Sequence, residues 1–361
     1  MNRLKFDSIT HRCLAVTAAV IATAAMLTAC SPGKKEPSKP SSSAPLTVHV
    51  AFFPNITHAV ALVGLANGTF AKALGPDVKI EEQSFTAGPS EIEALFARSV
   101  DIGYIGPGPA VNGFLKSHGK ALQIVAGASS GGAGLVVREG SGVTDVKTLA
   151  GKRVAVPQTG GTQDISLRHS LQLAGLKSTD QGGSVTVLPV APADTLTLFQ
   201  KGELDAAWVT EPWISRLVKE GHGTLKIDER DLWQQSGRKF ATTVVIVRTD
   251  FLKDHPEIVS KFLQAHIETV DWIGGHPDDA SKLVGDQIKK LSGKSLPADI
   301  LKSSWGRTDF TYDPLKDTVL TFADWSKQLG YLKDDRSALG DLFNTNPLNG
   351  VLSNLKRRAI P

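Results

Sequence analysis

Apolar strands that alternate with helical segments are the feature that most constrains the fold of this chain. Predicted strands at Leu46–Phe53 and Val78–Phe85 flank a helical run at Ala59–Ala66, and a short strand at Ile102–Ile105 follows. Such alternation implies parallel βαβ units, with helices that cover the faces of the sheet. Ligands of such sheets bind beyond the carboxyl ends of the strands, so the loops after these strands are candidate sites.

The alternation occurs a second time from residue 153 onward. Arg153–Val156, Val185–Val190 and Ala206–Val209 are predicted strands, and Gln163–Ala174 and Asp194–Lys201 are predicted helices. A repeated supersecondary unit would explain this pattern, and it would give two similar lobes that face each other across a cleft.

Single segments of the two runs also correspond. The residues LFARSVDI at 95–102 resemble LFQKGELD at 198–205 with one insertion. Each segment is followed by a strand that holds an aromatic residue, Tyr104 or Trp208, and then by a loop that contains proline. This correspondence favours two copies of one unit.

Two apolar strands that bracket the second run are the expected crossings between the lobes. They are Gly134–Arg138 and Thr243–Arg248. With these crossings, residues 46–138 form the first part of lobe 1 and residues 139–243 form lobe 2. Residues 244–361 then form the return into lobe 1 and a set of C-terminal helices. The predicted fold class is therefore α/β, with a mostly parallel sheet flanked by helices in each lobe and the ligand in the cleft between lobes.

The first 45 residues carry a separate signal. A basic start precedes a mostly apolar run at 14–29, which is shorter than the about 20 residues of a bilayer span and suits the core of a signal peptide. The run ends in LTAC at 27–30, which resembles a bacterial lipobox. We expect residues 1–29 to be a lipoprotein signal peptide and Cys30 to receive the lipid. A plain secretory signal with an incidental cysteine is the alternative.

Residues 30–45 begin with this cysteine and continue as a Ser-, Pro- and Lys-rich stretch. Such a composition cannot bury an apolar face, so we expect a solvated tether. No later stretch approaches eighteen uncharged apolar residues, which predicts a protein anchored to the membrane by its lipid.

The leader also accounts for the basic charge of the chain and for both cysteines. The chain has 40 Lys and Arg residues, of which six lie in residues 1–45, and 36 Asp and Glu residues, of which two lie there. The remainder therefore holds 34 basic and 34 acidic residues and has no net charge. A nucleic-acid binder carries its basic excess on the folded domain, so that class of protein is disfavoured. Because Cys13 and Cys30 both precede residue 46, we expect no thiolate metal site, and we expect no metal or cofactor of another kind.

Glycine-rich loops at the predicted strand ends are candidate anion sites. In TGGTQ at 159–163, glycines bring backbone N–H groups to the start of a helix, where the helix dipole favours a negative charge. The segments GPS at 88–90 and SSGG at 129–132 offer similar donors, and the alternative for each is an ordinary turn. The candidate ligand-binding residues are Asn55, Thr57, His58, Thr86, Gly88, Ser90, Gly106, Pro107, Ser129, Ser130, Gly160, Gly161, Thr162, Gln163, Glu211 and Trp213.

Three of these candidates have more specific roles. His58 is a candidate donor to the anion, although a lone histidine after a strand more often makes a structural hydrogen bond. Trp213, with Phe53 and Tyr104, is a candidate wall for an organic tail. Glu211 is a candidate acceptor from an ammonium group such as that of taurine, and its alternative is a plain helix start.

The motifs, in their order along the chain, resemble the extracytoplasmic substrate-binding proteins of ABC importers for aliphatic sulfonates, taurine and nitrate. They follow the lipobox as FPNITH at 53–58, YIGPGPA at 104–110, VPQTGGTQD at 156–164 and WVTEPW at 208–213. The resemblance spans about residues 46–340 and implies a two-lobe periplasmic-binding-protein fold, type II-like, that closes on its ligand.

The resemblance also implies the partners and the location. It implies a small anionic solute, an ABC permease with its ATPase, and a lipid anchor on the periplasmic side or outer face of the cell membrane. We expect a monomer that binds no nucleic acid and is not an enzyme. The expected ligand is a small organic sulfonate, because the candidate loops hold no Lys or Arg and so suit a singly charged anion.

Other readings of the same sequence stay open. Nitrate, bicarbonate and a thiamine pyrimidine precursor are alternative ligands of proteins with this fold. The segment GASSG at 127–131 has the spacing of a serine nucleophile elbow, which would make Ser129 the nucleophile of an envelope hydrolase. An apolar strand, not the helix that this elbow needs, is predicted after it, which disfavours the hydrolase.

Overall fold

The computed structural model describes residues 45–333 and 336–361. The predicted signal peptide, Cys30 and residues 31–44 of the predicted tether lie outside the described residues. In chain order the strands are β1 (Leu46–Phe52), β2 (Val78–Ser84), β3 (Ile102–Ile105), β4 (Leu122–Gly131), β5 (Ala133–Arg138), β6 (Arg153–Val156), β7 (Thr186–Pro189), β8 (Ala206–Thr210), β9 (Gly223–Asp228), β10 (Ala241–Arg248) and β11 (Thr308–Phe310).

Helices cover the sheets, and several of them begin where a strand has ended. They are α1 (Ala59–Ala66), α2 (Thr69–Leu74), α3 (Gly88–Phe96), α4 (Pro107–Lys116), α5 (Thr162–Leu173), α6 (Pro192–Gln200), α7 (Trp213–Lys219), α8 (Thr249–Asp254), α9 (Pro256–Gly275), α10 (Pro277–Ser292), α11 (Ala298–Trp305), α12 (Lys316–Gln328) and α13 (Asn346–Asn354). A 3-10 turn at Ile56–His58 leads into α1. Among the described residues, no helix combines the length and the apolar character that a bilayer crossing requires.

The strands form two sheets that are built in the same way. The first has the order β11-β4-β10-β3-β1-β2, and the second has the order β7-β6-β8-β5-β9. Each contains three parallel strands, β2-β1-β3 or β7-β6-β8, followed by β10 or β5, which pairs antiparallel with the third. We call each sheet with its helices a lobe, the first being lobe 1.

The repeated segments occupy equivalent places in the two lobes. LFARSVDI at 95–102 runs from the end of α3 into β3, and LFQKGELD at 198–205 runs from the end of α6 to the start of β8. Both β3 and β8 are the third strand of their sheet and the partner of the antiparallel one. The repeat of a strand–helix unit is therefore present in the fold.

The passages between the sheets differ from the expected crossings. The chain leaves the first sheet at Gly131 and enters the second at Ala133, so Gly134–Arg138 lies in lobe 2 and not in lobe 1. Gly131 and Gly132 have left-handed φ values of 77° and 69°, which interrupt what otherwise reads as one apolar strand. The return precedes Ala241, so Thr243–Arg248 lies within the first sheet. Taken by sheets, the boundaries fall near residues 132 and 240 instead of 138 and 243.

Three groups of buried apolar side chains hold these layers together. In lobe 1, Phe70 of α2 stacks on Phe262 of α9 at 4.3 Å between ring centroids. In lobe 2, Trp208 of β8 lies in a fully buried cluster between the sheet and α5. A third, aromatic cluster joins the lobes, because Ile165 of α5 packs in it with Phe322 and Trp325 of α12.

Candidate functional site

A small polar cavity lies where the carboxyl ends of the parallel strands of both sheets face each other. Its volume is about 40 Å³, and its walls come from the loops after β1, β2, β3, β6 and β7, with Thr210 at the end of β8 and Thr242 in β10. A cavity holds one water in about 10–15 Å³ of such space, so this one has room for about three waters or for one compact polar group. We call it the head cavity. The predicted residues that line it are Asn55, Thr57, His58, Thr86, Gly88, Gly106, Gly161, Thr162 and Gln163.

His58 presents a neutral N–H group to the head cavity. The backbone N–H of Phe53 donates to His58 Nδ1 at 3.1 Å, so Nδ1 is unprotonated and Nε2 carries the hydrogen. Burial lowers the pKa of His58 to about 3, which keeps the ring uncharged. The ring also stacks on Phe53 at 4.3 Å, which fixes its orientation. His58 is therefore placed as a hydrogen-bond donor without a charge.

Asn55 and Thr57 are tied to each other in the turn before α1. Asn55 Oδ1 accepts from the backbone N–H of His58 at 3.2 Å and from Thr57 Oγ1 at 2.9 Å. The amide group of Asn55 stays available as a donor, whereas the hydroxyl hydrogen of Thr57 is already used. Of these two predicted residues, only Asn55 is placed to donate to an anion.

The start of α5 supplies backbone donors at two of the predicted residues, but not at the glycine pair. The N–H of Gly160 donates to Asp164 Oδ2 at 2.8 Å, and that of Gly161 donates to the Gln158 carbonyl at 3.1 Å. No capping side chain covers the first turn of α5, so the N–H groups of Thr162 and Gln163 stay open at the positive end of the helix. The donors of this loop are therefore shifted two residues along from the glycine pair.

The first three residues of α4 offer the cavity no backbone donor. Pro107 and Pro109 have no N–H, and the N–H of Gly108 donates to Thr162 Oγ1 at 3.3 Å. Instead, this loop lies against lobe 2, and a Cβ atom on Gly106 would come within 2.3 Å of the same Thr162 oxygen. Gly106 therefore permits contact between the lobes, and Pro107, which was predicted to bind ligand, does not line the cavity.

Helix α3 begins three residues earlier than it would if Ser90 were the N-cap of a capping box. Its first residue is Gly88, which lines the head cavity, and Pro89 occupies the first turn. The hydroxyl of Ser90 points to the other lobe and donates to Gln158 Oε1 at 3.2 Å. Ser90 is thus a contact between the lobes rather than a wall of the cavity.

Two predicted serines are buried in β4 and line neither this cavity nor the one described below. Ser130 Oγ accepts from the backbone N–H of Phe240 at 3.1 Å, and Ser129 Oγ is buried without a hydrogen-bond partner among the described residues. A glycine turn and β5 follow these serines. The strand–turn–helix geometry of a nucleophile elbow is therefore not formed at Ser129.

Glu211 is committed to an internal network and lines neither cavity. Its carboxylate accepts from Ser304 Oγ at 2.9 Å, from Arg307 Nη1 at 2.9 Å and from the N–H and hydroxyl of Ser215. Burial raises the pKa of Glu211, and these bonds act in the opposite direction. Tyr104, predicted to cover a ligand tail, is also buried, with its hydroxyl 2.8 Å from His266 Nδ1.

A larger, mostly apolar cavity of about 280 Å³ adjoins the head cavity, and we call it the tail cavity. The two share the walls formed by Phe53, Asn55, Thr86 and Pro192. Trp213 lines the tail cavity, where the Arg216 guanidinium lies 4.7 Å from its ring centroid. Among the described residues that line the two cavities, none is an aspartate or a glutamate.

Some lining residues were not predicted from the sequence. Thr210 and Thr242 line the head cavity, and Ile288 and Leu296 line the tail cavity from the end of α10 and the loop after it. No local motif marks these residues, because tertiary packing brings their segments to the site. Within the described ranges, no group of three or more His, Asp or Glu side chains is arranged to hold a metal ion.

Comparison with known proteins identifies a family and relatives of this chain. The model of the NMT1-like family matches residues 41–285. A protein of Bacillus subtilis (strain 168) that is named for binding aliphatic sulfonates is 29% identical over 248 residues, which are 67% of this chain and 70% of the relative. The taurine-binding periplasmic protein of Escherichia coli (strain K12) is 29% identical over 218 residues, 60% of this chain and 64% of that protein.

The fold also matches a solved structure. The alkanesulfonate-binding protein SsuA from Xanthomonas axonopodis pv. citri, bound to MOPS, aligns with a TM-score of 0.66 and 20% identity, over 81% of this chain and 96% of that one. The predicted two-lobe periplasmic-binding-protein fold is confirmed.

Proposed function

The chain belongs to the NMT1-like family, and from this premise we propose that it is the extracytoplasmic substrate-binding component of an ABC importer for a small organic sulfonate. The observation that carries the proposal is the head cavity, a space for one compact anionic group between the strand ends of two lobes. The names of the sulfonate- and taurine-binding relatives support the same class of ligand.

The donors around the head cavity suit an anion with a single negative charge. They are the Nε2–H of His58, the amide of Asn55 and the first backbone N–H groups of α5, and all are neutral. No Lys or Arg is among the described residues that line this cavity. A phosphate dianion would call for positive side chains, whereas a sulfonate can be held by neutral donors and a helix N-terminus.

We further propose how the protein is anchored to the membrane and which proteins take its ligand. Cys30 carries the lipid after residues 1–29 are removed, and the tether of residues 30–45 holds the folded part away from the membrane. A permease and its ATPase take the ligand from the cleft. In this function the protein binds and releases the solute unchanged, as a monomer without a cofactor, and catalyses no reaction.

A panel of ligands tests the proposal by thermal unfolding and calorimetry. The panel contains propanesulfonate, benzenesulfonate, taurine, nitrate, bicarbonate and a thiamine pyrimidine precursor. At about 100 times its dissociation constant, a ligand adds about 2.7 kcal/mol to the free energy of unfolding. We expect stabilisation by sulfonates and none by the inorganic anions.

A pair of matched variants adds a control. Gly161→Asp places a carboxylate beside the head cavity and should abolish the stabilisation. Gly274→Asp adds the same charge on α9, where a Cβ atom meets no neighbouring atom within 4 Å, and should leave it intact. Stabilisation by nitrate or the pyrimidine alone would refute the sulfonate as ligand but would be consistent with a solute receptor. No stabilisation by any compound would refute both the ligand and the receptor function.

A further inference from the structure

We infer that the organic part of the ligand occupies the tail cavity and is uncharged: an alkyl chain of about four or more carbons or an aromatic ring, and not the ammonium-bearing tail of taurine. This inference rests on the proposed function, because it names the class of sulfonate that the same site selects. It rests on the position of the tail cavity beside the head cavity, on its walls and on its charges.

The two cavities adjoin each other at residues that we propose to hold the anionic group. Asn55, whose amide is free to donate, lines both of them, and so does Phe53, which stacks on His58. The head cavity measures about 40 Å³ and the tail cavity about 280 Å³. A sulfonate held at Asn55 and His58 therefore has room for its substituent in only one of the two spaces.

The walls of the tail cavity are apolar on opposite sides. Phe85, after β2, belongs to lobe 1, and Trp213, the first residue of α7, belongs to lobe 2. Ile288 and Leu296 add aliphatic groups from the end of α10 and the loop that follows it. Each methylene group that these walls remove from water should improve the affinity about fourfold.

The charges at the tail cavity disfavour a cationic tail. Arg216 and Lys294 are the charged residues among its described lining. Arg216 is bonded to Glu220 at 2.8 Å, and Glu211, the carboxylate predicted to meet an ammonium, is bonded to Arg307. An ammonium group in this space would lose its water, find no carboxylate and face two cations, all of which oppose binding.

Calorimetry with five sodium sulfonates or zwitterions tests the inference: methanesulfonate, propanesulfonate, hexanesulfonate, benzenesulfonate and taurine. We expect hexanesulfonate and benzenesulfonate to bind at least about tenfold more tightly than methanesulfonate. Propanesulfonate and taurine have nearly the same size and differ in a terminal methyl or ammonium group. We expect propanesulfonate to bind at least about tenfold more tightly than taurine.

A carboxylate placed in the tail cavity should change this preference. Leu296→Asp should lower the ratio of propanesulfonate to taurine affinity at least about tenfold, because the new charge can pair with the ammonium group. Leu291→Asp is the matched control in the same segment, since Leu291 is 37% exposed and does not line either cavity. The control should retain the ratio of the unmodified protein.

The outcomes separate this inference from the function on which it rests. Affinity that is independent of chain length, or taurine that binds as tightly as propanesulfonate, would overturn the tail assignment and leave a sulfonate receptor. An unchanged ratio in Leu296→Asp would also overturn it. If none of the five compounds binds, the proposed function and the inference both fall.

Discussion

His58 shows how one side chain couples the site to the stability of the fold. Its Nδ1 accepts from a backbone N–H five residues earlier, and its ring is buried against Phe53. Burial lowers the pKa of His58 to about 3 and the pKa values of His169 and His266 to about 4. All three histidines are therefore neutral in the folded protein at pH values where they gain a proton in the unfolded chain.

We predict that His58 makes the unliganded protein less stable as the pH falls from about 6.5 to 5, whereas the buried Glu91, Glu211 and Glu229, whose pKa values burial raises, act in the opposite direction. An unfolded histidine, with a pKa near 6.5, binds a proton there that folded His58 does not bind, so acid favours unfolding. At pH 5, His58 alone should lower the free energy of unfolding by about 2 kcal/mol. Urea denaturation at several pH values measures this dependence.

The variant His58→Gln should be destabilised less by acid than the unmodified protein, and its remaining slope should combine His169 and His266 with the opposing Glu229. The exposed His276 provides the control, because His276→Gln should retain the slope of the unmodified protein. A slope that is the same in both variants would show that His58 is protonated in the folded state.

Residue types and their order along the chain predicted where most of the site residues lie, but not what they bond to. Loops after parallel strands must meet at one edge, which is why His58 and Thr162 reach the same cavity. Glu211 instead meets Ser304 and Arg307, which lie about ninety residues further along the chain. Tertiary packing determines hydrogen-bond partners that are so distant in sequence, and no local pattern of residues predicts them.

At the scale of the elements, apolar runs predicted the positions of strands and helices well. They did not predict the boundary between the two sheets, which lies at a pair of glycines. The predicted strand Arg153–Val156 and the predicted helix Ala59–Ala66 have the bounds observed. The run from Leu122 to Val137 contains no charged residue, but Gly131 and Gly132 turn it from one sheet into the other. Hydrophobic periodicity does not detect such a turn, because both strands are buried.

We predict that Gly131→Ala destabilises the protein by about 1–2 kcal/mol more than Gly140→Ala. Both glycines have left-handed φ values, 77° and 73°, so both variants carry the cost of that conformation. A Cβ atom on Gly131 would also lie 2.6 Å from the Arg307 carbonyl oxygen, whereas one on Gly140 meets nothing within 4 Å. Chemical denaturation of the two variants gives the difference, and equal losses would contradict the role of close packing at this turn.

At the scale of the whole molecule, the lobes touch each other around the head cavity. Hydrogen bonds link the loops that surround it and the segment after α12. The residue pairs are Gly108–Thr162, Asn112–Gly160, Ser90–Gln158 and Tyr331–Asp164. A hinged receptor that opens to admit its ligand would have to break these pairs.

We predict that a saturating sulfonate makes the protein more compact, since closure around the ligand restores these contacts. Small-angle X-ray scattering should show a smaller radius of gyration with benzenesulfonate than without it. Tyr331→Phe removes one cross-lobe bond to a carboxylate and should weaken binding about threefold to tenfold. Identical scattering with and without ligand would argue against a hinged receptor.

The strand order also dictates when each lobe can be completed as the chain emerges from the ribosome or a translocation channel. The strands of lobe 2, β5 to β9, are contiguous in sequence, so this lobe has all its strands once Asp228 is available. At that stage the earlier strands of lobe 1 are present, but β10 is not. Because β10 lies between β3 and β4, these two strands can join one sheet only after β10 has been synthesised. The lobe that starts first is therefore finished last, and a chain halted before Arg248 would hold a complete second lobe beside a divided first one.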